Sequence, residues 1–335
     1  MHEFEQAWTG ATSVLLLLLG TATFAKGPEG QVPEFAAMPQ GLTSFGAARI
    51  GDAVYIYGGH TGNSHSYSTA EQSKQLLKLD LKTPGSSWQV VSEGQRLQGL
   101  ALVAFEHKLI SVGGFQAKNQ AGQEQDLHSQ AMVSVFDTQT GTWSELPAMP
   151  TPRSSHDAIV VGTHLYVVGG WNMSTPDETE WDKTALVMDL SQDDPQWRML
   201  PAPPFQRRAL VAAAHDGKLF VIGGMNQAGG PTRDVAIYDP ATEAWTNGPE
   251  IVGKDGMAGF GAAAWSLGHQ LVVSNYSGDV QVLGKDATSW EIIGKTQDAR
   301  FFHRLVALDE HQLLALGGAS MDSGKFLTPE VIQVK

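Results

Sequence analysis

The sequence predicts an all-β fold, a six-bladed β-propeller, and three observations carry that expectation. First, a short apolar run ending in a glycine pair returns with a period of roughly 50 residues, which is the spacing of propeller blades. The pairs are Gly58-Gly59, Gly113-Gly114, Gly169-Gly170, Gly223-Gly224 and Gly317-Gly318. Second, a tryptophan follows each repeat unit's third apolar run: Trp88, Trp143, Trp197, Trp245 and Trp290. Third, β-branched and aromatic residues are dense, turn residues separate them, and no helical period is sustained.

The chain opens on a segment that reads as an export signal over residues 1–25. Val14 to Leu19 form an apolar core, and Thr23-Phe24-Ala25 before Lys26 fits a cleavage site. The leading residues are acidic (Glu3, Glu5) where a positive charge is usual, so an uncleaved anchor is the alternative. The apolar stretch is short for a membrane span, and no other transmembrane segment is expected. Residues 26–335 then read as a single propeller, with an exported location, periplasmic or extracellular, as the expectation. There are 0 cysteines, so blade packing and ring closure must supply stability without disulfides.

The third unit shows how each blade is read. Asp157 to Val161 is a strand, Gly162-Thr163 a turn, and Leu165 to Val168 the next strand, ending at Gly169-Gly170. After a long loop come Ala185 to Leu190 and an outer strand from Trp197. The glycine pair suits a crowded inner position where a Cβ would collide with a neighbouring backbone and where positive φ is needed. The tryptophan is a large apolar plate for the wedge between blades.

Six first strands are expected to begin near residues 43, 98, 155, 209, 258 and 302. In the fifth unit Ser274-Asn275 replaces the glycine pair. The last unit runs out after a third strand near Glu330–Val334, while Val32 to Pro39 resembles an outer strand with no unit before it. The N-terminal segment is therefore expected to complete the last blade and close the ring, which removes two exposed sheet edges.

These features, together with Arg153-Ser154-Ser155-His156 before a first strand and the aromatic-Asp steps Phe136-Asp137 and Tyr238-Asp239, resemble the Kelch-repeat propellers. The resemblance runs over roughly residues 32–335 and extends, more distantly, to the sialic acid mutarotases. It implies a ligand-binding face built from the loops before each first strand and after each glycine pair.

That face would carry His60, Arg153, His156, Trp171, Asn172, Arg207, Asn226, Tyr276, Arg300, His303 and Arg304, with Arg208, Phe45, Phe260 and Phe301 among the same loops. Arginine forks suit carboxylate or phosphate, and aromatic faces suit a sugar ring or a peptide side chain. Arginine and histidine before a first strand also commonly bond between blades, so a structural role is the competing reading. The net charge of −13 argues against nucleic acid as a partner. His107, His164, His215, His269 and His311 recur at hairpins that the blades hold apart, so no metal and no cofactor is expected.

The sequence favours a non-catalytic binding module for a protein or a glycan, an anionic one fitting the arginines, in a monomeric chain. The alternative is a carbohydrate-processing enzyme of the sialic acid mutarotase (N-acetylneuraminate epimerase) type. Its proton carriers would be His156, His303, Glu178 or Glu180, with Arg153 or Arg304 on the substrate carboxylate.

Overall fold

A computed structural model describes residues 34–83, 85–173 and 179–334. The proposed signal at 1–25 and Glu178 lie outside these residues. Apart from two short 3-10 turns, Thr69–Glu71 and Gly256–Gly259, the described elements are strands. No helix among them is long and apolar enough to cross a membrane.

The strands form a series of antiparallel meanders in which each principal strand pairs with the next one of its own sheet. The third contains Asp157–Val161, His164–Val168, Ala185–Asp189 and Trp197–Met199, paired in that order. The first strands of the six principal sheets are Gly46–Ile50, Ala101–Phe105, Asp157–Val161, Val211–His215, Ala263–Leu267 and Arg304–Ala307. Five of these sheets have four strands, including the fifth despite its broken glycine pair; the sixth has three, ending at Glu330–Gln333. The loops after the glycine pairs are not plain coil: small hairpins such as Phe115–Ala117 with Leu127–Ser129 and Trp171–Met173 with Thr179–Trp181 stand on them.

The alternation of side chains along a strand sends apolar residues to both sheet faces, and the core lies between sheets. Val103, Ile110 and Val135 of the second sheet meet Leu165, Val167 and Leu186 of the third. Equivalent clusters join every successive pair, and Val54, Ile56 and Leu77 of the first sheet pack on Val306, Leu314 and Leu316 of the sixth.

The glycine pairs occupy the predicted crowded positions. All ten glycines have positive φ, from +54° to +101°. A Cβ on Gly169 would sit 2.6 Å from the Arg207 carbonyl oxygen, and one on Gly170 2.7 Å from that of Ser154. The tryptophans also bind polar partners. The indole N–H of Trp197, Trp245 and Trp290 donates to the Pro147, Pro201 and Pro249 carbonyls at 2.8–2.9 Å, each on the tail of the preceding sheet's outer strand.

Trp88 donates in the same way to Ala36, 3.0 Å away. The Met38 N–H donates to Leu327 of the last sheet at 2.8 Å, as Met149 and Ile251 donate to Ala131 and Arg233 ahead of their own third strands. Residues 34–38 thus make an outer strand's tail contacts on the sixth sheet, although they form no ladder strand there.

Candidate functional site

Each first strand is preceded by a residue in the left-handed region: Ser44 (+54°), Gly99 (+63°), Ser155 (+53°), Ala209 (+52°), Gly261 (+59°) and Phe302 (+54°). Four of these are not glycine and hold a conformation that L-residues seldom adopt. Sheet-to-sheet hydrogen bonds hold them there. The N–H groups of Gly99, Ser155, Ala209 and Phe302 donate to Ser44, Gly99, Ser155 and Gly261 respectively at 2.7–2.8 Å. All six residues line one central cavity of about 1130 Å³.

Arg304 of the sixth sheet reaches Asp157 of the third, with Nη1 at 3.1 Å and 3.0 Å from the two carboxylate oxygens. Both residues begin a first strand, and the small side chains Ala101 and Ala263 stand at that position in other sheets. Arg304 also donates from Nε to the Phe45 carbonyl at 3.1 Å, while Asp157 accepts from the Ala212 N–H at 2.9 Å. Of the two, Arg304 lines the cavity and Asp157 does not.

One wall is built from the loops after the first two glycine pairs. Asn119 donates to the Tyr67 carbonyl at 2.7 Å, Thr69 to Ala117 at 2.9 Å, and Gln72 brackets Phe115 and Ala117 through both ends of its amide. Ser66 and Ser68 donate to the Glu71 carboxylate, each at 2.7 Å. These bonds fix Tyr67 between His60 and Phe115, at ring distances of 5.2 Å and 6.0 Å. The lining also carries Phe260, Phe301 and Phe302.

Arg208 occupies a third side. Its guanidinium lies 4.0 Å from the Trp171 ring centre and 5.5 Å from that of Trp181, and NH2 is 3.2 Å from the Met225 sulfur. No described carboxylate pairs with it, its buried Nε has no hydrogen-bond partner, and burial lowers its pKa, opposed by Tyr67. Lys325 completes the rim by donating to the Gly62 carbonyl, and burial pushes its pKa down to about 8.

The structure divides the sequence-predicted residues. His60, Trp171, His156, His303 and Arg304 line the cavity. Arg153, Arg207 and Arg300 do not. Arg153 is fully buried, bonding Gly169, Thr184 and the Asp182 carboxylate at 3.0 Å. Arg207 bonds the Gly223 and Asp234 carbonyls at 2.8 Å and 2.7 Å and lies 4.2 Å from the Phe205 ring centre. Arg300 pairs with Glu330 and lies over Phe326. These three arginines tie first-strand entries to their own sheets, so the expected arginine-lined mouth is reduced to Arg208 and Arg304.

His156 and His303 fill positions taken by Phe45, Leu100, Leu210 and Ala262 in the other sheets, and both are almost completely buried. Burial, reinforced by Arg153 and Arg304 for His156 and by Arg300 and Arg304 for His303, pushes both pKa values down to about 3. At neutral pH both imidazoles are uncharged and have no proton to spare as acids. His60 bonds the Ser66 carbonyl at 2.8 Å, and burial and Lys325 lower its pKa.

Tyr276 stacks on Phe301 at 5.4 Å, and Asn226 pairs with Arg207 across a short two-residue ladder. Asn172 and Glu180 face each other on the Trp171–Trp181 hairpin and line a separate pocket of about 330 Å³. Tyr67 and Lys325 escape a reading of the sequence: Lys325 lies on the loop after the last glycine pair, but nothing in the chain signals its contact with Gly62. No group of His, Asp or Glu among the described residues could hold a metal ion.

Comparison with known proteins places this geometry. Residues 99–318 match the KLHDC2/KLHL20/DRC7 Kelch-repeats domain. Acyl-CoA-binding domain-containing protein 4 of Arabidopsis thaliana is 25% identical over 279 residues, 77% of this chain but 39% of that protein. The chain thus spans well under two thirds of that longer relative. N-acetylneuraminate epimerase of Pasteurella multocida is 27% identical, with 95% of this chain and 95% of that protein covered. A solved structure titled "Structure of YjhT" superposes with a TM-score of 0.72 at 18% identity, over 90% of this chain and 97% of that one, a likeness of fold.

Proposed function

Because the chain belongs to the Kelch-repeat family, we propose that it is a binding module that takes an anionic ligand, an acidic sugar above all, into its central cavity. One observation carries this reading. The described lining holds Arg208, Arg304 and Lys325 and four imidazoles but not one Asp or Glu, in a chain of net charge −13. A guanidinium without a carboxylate partner, stacked on tryptophan, is poised to accept a carboxylate and retains its cation–π contact while doing so. The aromatic walls offer flat apolar surface for a sugar ring.

The reading takes the six sheets as blades of a closed ring completed by the N-terminal segment, in a monomeric protein exported behind residues 1–25. The closing contacts of Trp88 and Met38 support that architecture. The export signal rests on the sequence pattern, and mass spectrometry of the mature N-terminus tests it.

Isothermal titration of N-acetylneuraminate against the protein and its Arg208→Gln variant tests the cavity. At least a tenfold loss on substitution is expected; unchanged affinity would sink the role given to Arg208. The second reading is a sugar mutarotase, favoured by the relative named N-acetylneuraminate epimerase that aligns along 95% of both chains. The neutral His156 and His303 make poor acids for that reaction, leaving Lys325, Tyr67 and His60 at the cavity. Anomer exchange followed by NMR decides: a rate equal to that in buffer rejects catalysis.

A further inference from the structure

Beside the central cavity lies the second pocket, lined by Asn172, Glu180, Trp181, Lys183, Gln206 and Gln227. Trp171 lines the central cavity and Trp181 the second pocket, their rings edge-to-face with centres 5.7 Å apart, and Thr179 lines both. The chemistry changes sharply across that partition. The central side is cationic and aromatic. The other side carries three side-chain amides, one indole and a pair of opposite charges.

Two of those amides are unsatisfied. Asn172 Oδ1 and Gln206 Nε2 are buried from solvent and have no hydrogen-bond partner. A buried amide oxygen or nitrogen left unpaired costs about 1–3 kcal/mol, so folded proteins seldom leave such groups without a role. The two residues that carry this acceptor and this donor both line one small polar pocket beside an indole. That set matches adjacent hydroxyl groups on a neutral sugar ring: one hydroxyl donates to the amide oxygen, another accepts from the amide nitrogen, and a CH face rests on the ring. Arg208 ties the two sides together, because its guanidinium contacts Trp171 and Trp181.

We propose that this pocket is a second subsite that takes a neutral, hydroxyl-rich sugar unit joined to the acidic unit held at Arg208. The ligand class is therefore an acidic oligosaccharide of at least two units rather than a free acidic monosaccharide. This rests on the central cavity accepting an acidic sugar, as proposed above.

The probes are N-acetylneuraminate and the same sugar linked to galactose, titrated calorimetrically against the full chain. The disaccharide binds at least tenfold more tightly. In Gln206→Leu and Asn172→Leu that advantage falls below threefold, while affinity for the monosaccharide is unchanged. Gln227→Ala, on an exposed residue, lowers the advantage about threefold and covers the case in which the buried variants do not fold. Equal affinity for the two probes in the unaltered protein, or an advantage that survives all three substitutions, overturns the second subsite and leaves the central cavity standing. Binding of neither probe overturns both readings.

Discussion

Asp157→Asn removes the negative half of the bridge that holds Arg304 at the cavity while keeping an oxygen for the Ala212 N–H. At 3.0 Å and an effective dielectric of about 20, the lost attraction is about 5.5 kcal/mol before solvent is considered. The Asp157 side chain is 5% exposed and Arg304 23%, so water reaches the arginine from the cavity and repays part of that loss. Arg304 also keeps its bonds to the Phe45 and Leu100 carbonyls. A net cost of about 3 kcal/mol follows, at the lower end for breaking a buried pair. For a domain of this size each kcal/mol moves the melting temperature by roughly 2 °C, so a fall of about 6 °C is expected by differential scanning calorimetry. The double variant Asp157→Asn/Arg304→Gln should recover at least half of it, because no uncompensated charge is left. The same single change frees Arg304 toward the cavity, so affinity for an anionic sugar should rise severalfold as stability falls. A melting shift under 2 °C, or single-variant losses that simply add in the double, would refute the reasoning.

His156 and His303 make the fold sensitive to acid. Their folded pKa values, about 3, lie below the ordinary 6.5, so stability is fully present above pH 6.5 and declines toward pH 3 as the unfolded chain takes up protons. Each contributes a slope of at most about 1.4 kcal/mol per pH unit; His156→Leu/His303→Leu, which installs a residue type used at this position in other sheets, should flatten melting temperature against pH over that window. Lys325 acts in the same sense at higher pH: with a pKa of about 8 against 10.5 it loses its proton early, so stability rises from pH 8 to 10.5 while anionic-ligand affinity falls above pH 8. Titration at pH 7 and 9.5 checks this, with Lys325→Arg expected to keep its affinity. Gly169→Ala puts a methyl at φ +67° against the Arg207 carbonyl, 2.6 Å away, and should cost about 2–5 kcal/mol in urea unfolding.

The repeat was the legible part of this chain. Glycine pairs and tryptophans mark positions where backbone geometry or a large cavity between sheets admits few alternatives, so they recur in phase and can be counted. Even the broken pair at Ser274-Asn275 left its sheet recognisable, because strand spacing survived. The site was harder to read. Arg207 and Arg208 are adjacent, yet one is buried in its sheet and the other faces the cavity. Which is which depends on side-chain parity around the left-handed residue at Ala209, and one residue of slip exchanges them. His156 and His303 were misleading for a related cause: a polar residue at a position that is apolar in other sheets looks like function, whereas here it packs.

The bond from Met38 to Leu327 joins segments that leave the ribosome nearly a whole propeller apart, and the bond from Trp88 to Ala36 seats the same early segment against the first sheet. Sheets one to five can collapse on neighbours as they emerge, but residues 34–38 must wait for nearly the entire chain to be made. Until then the first sheet's flank, including Val54, Ile56 and Leu77, has no partner to cover it. Contacts between such distant segments form slowly because the loop they close is long. The period before this latch engages is therefore when a nascent chain is most exposed to aggregation, to proteolysis, and to capture by the Leu327 segment of a second copy.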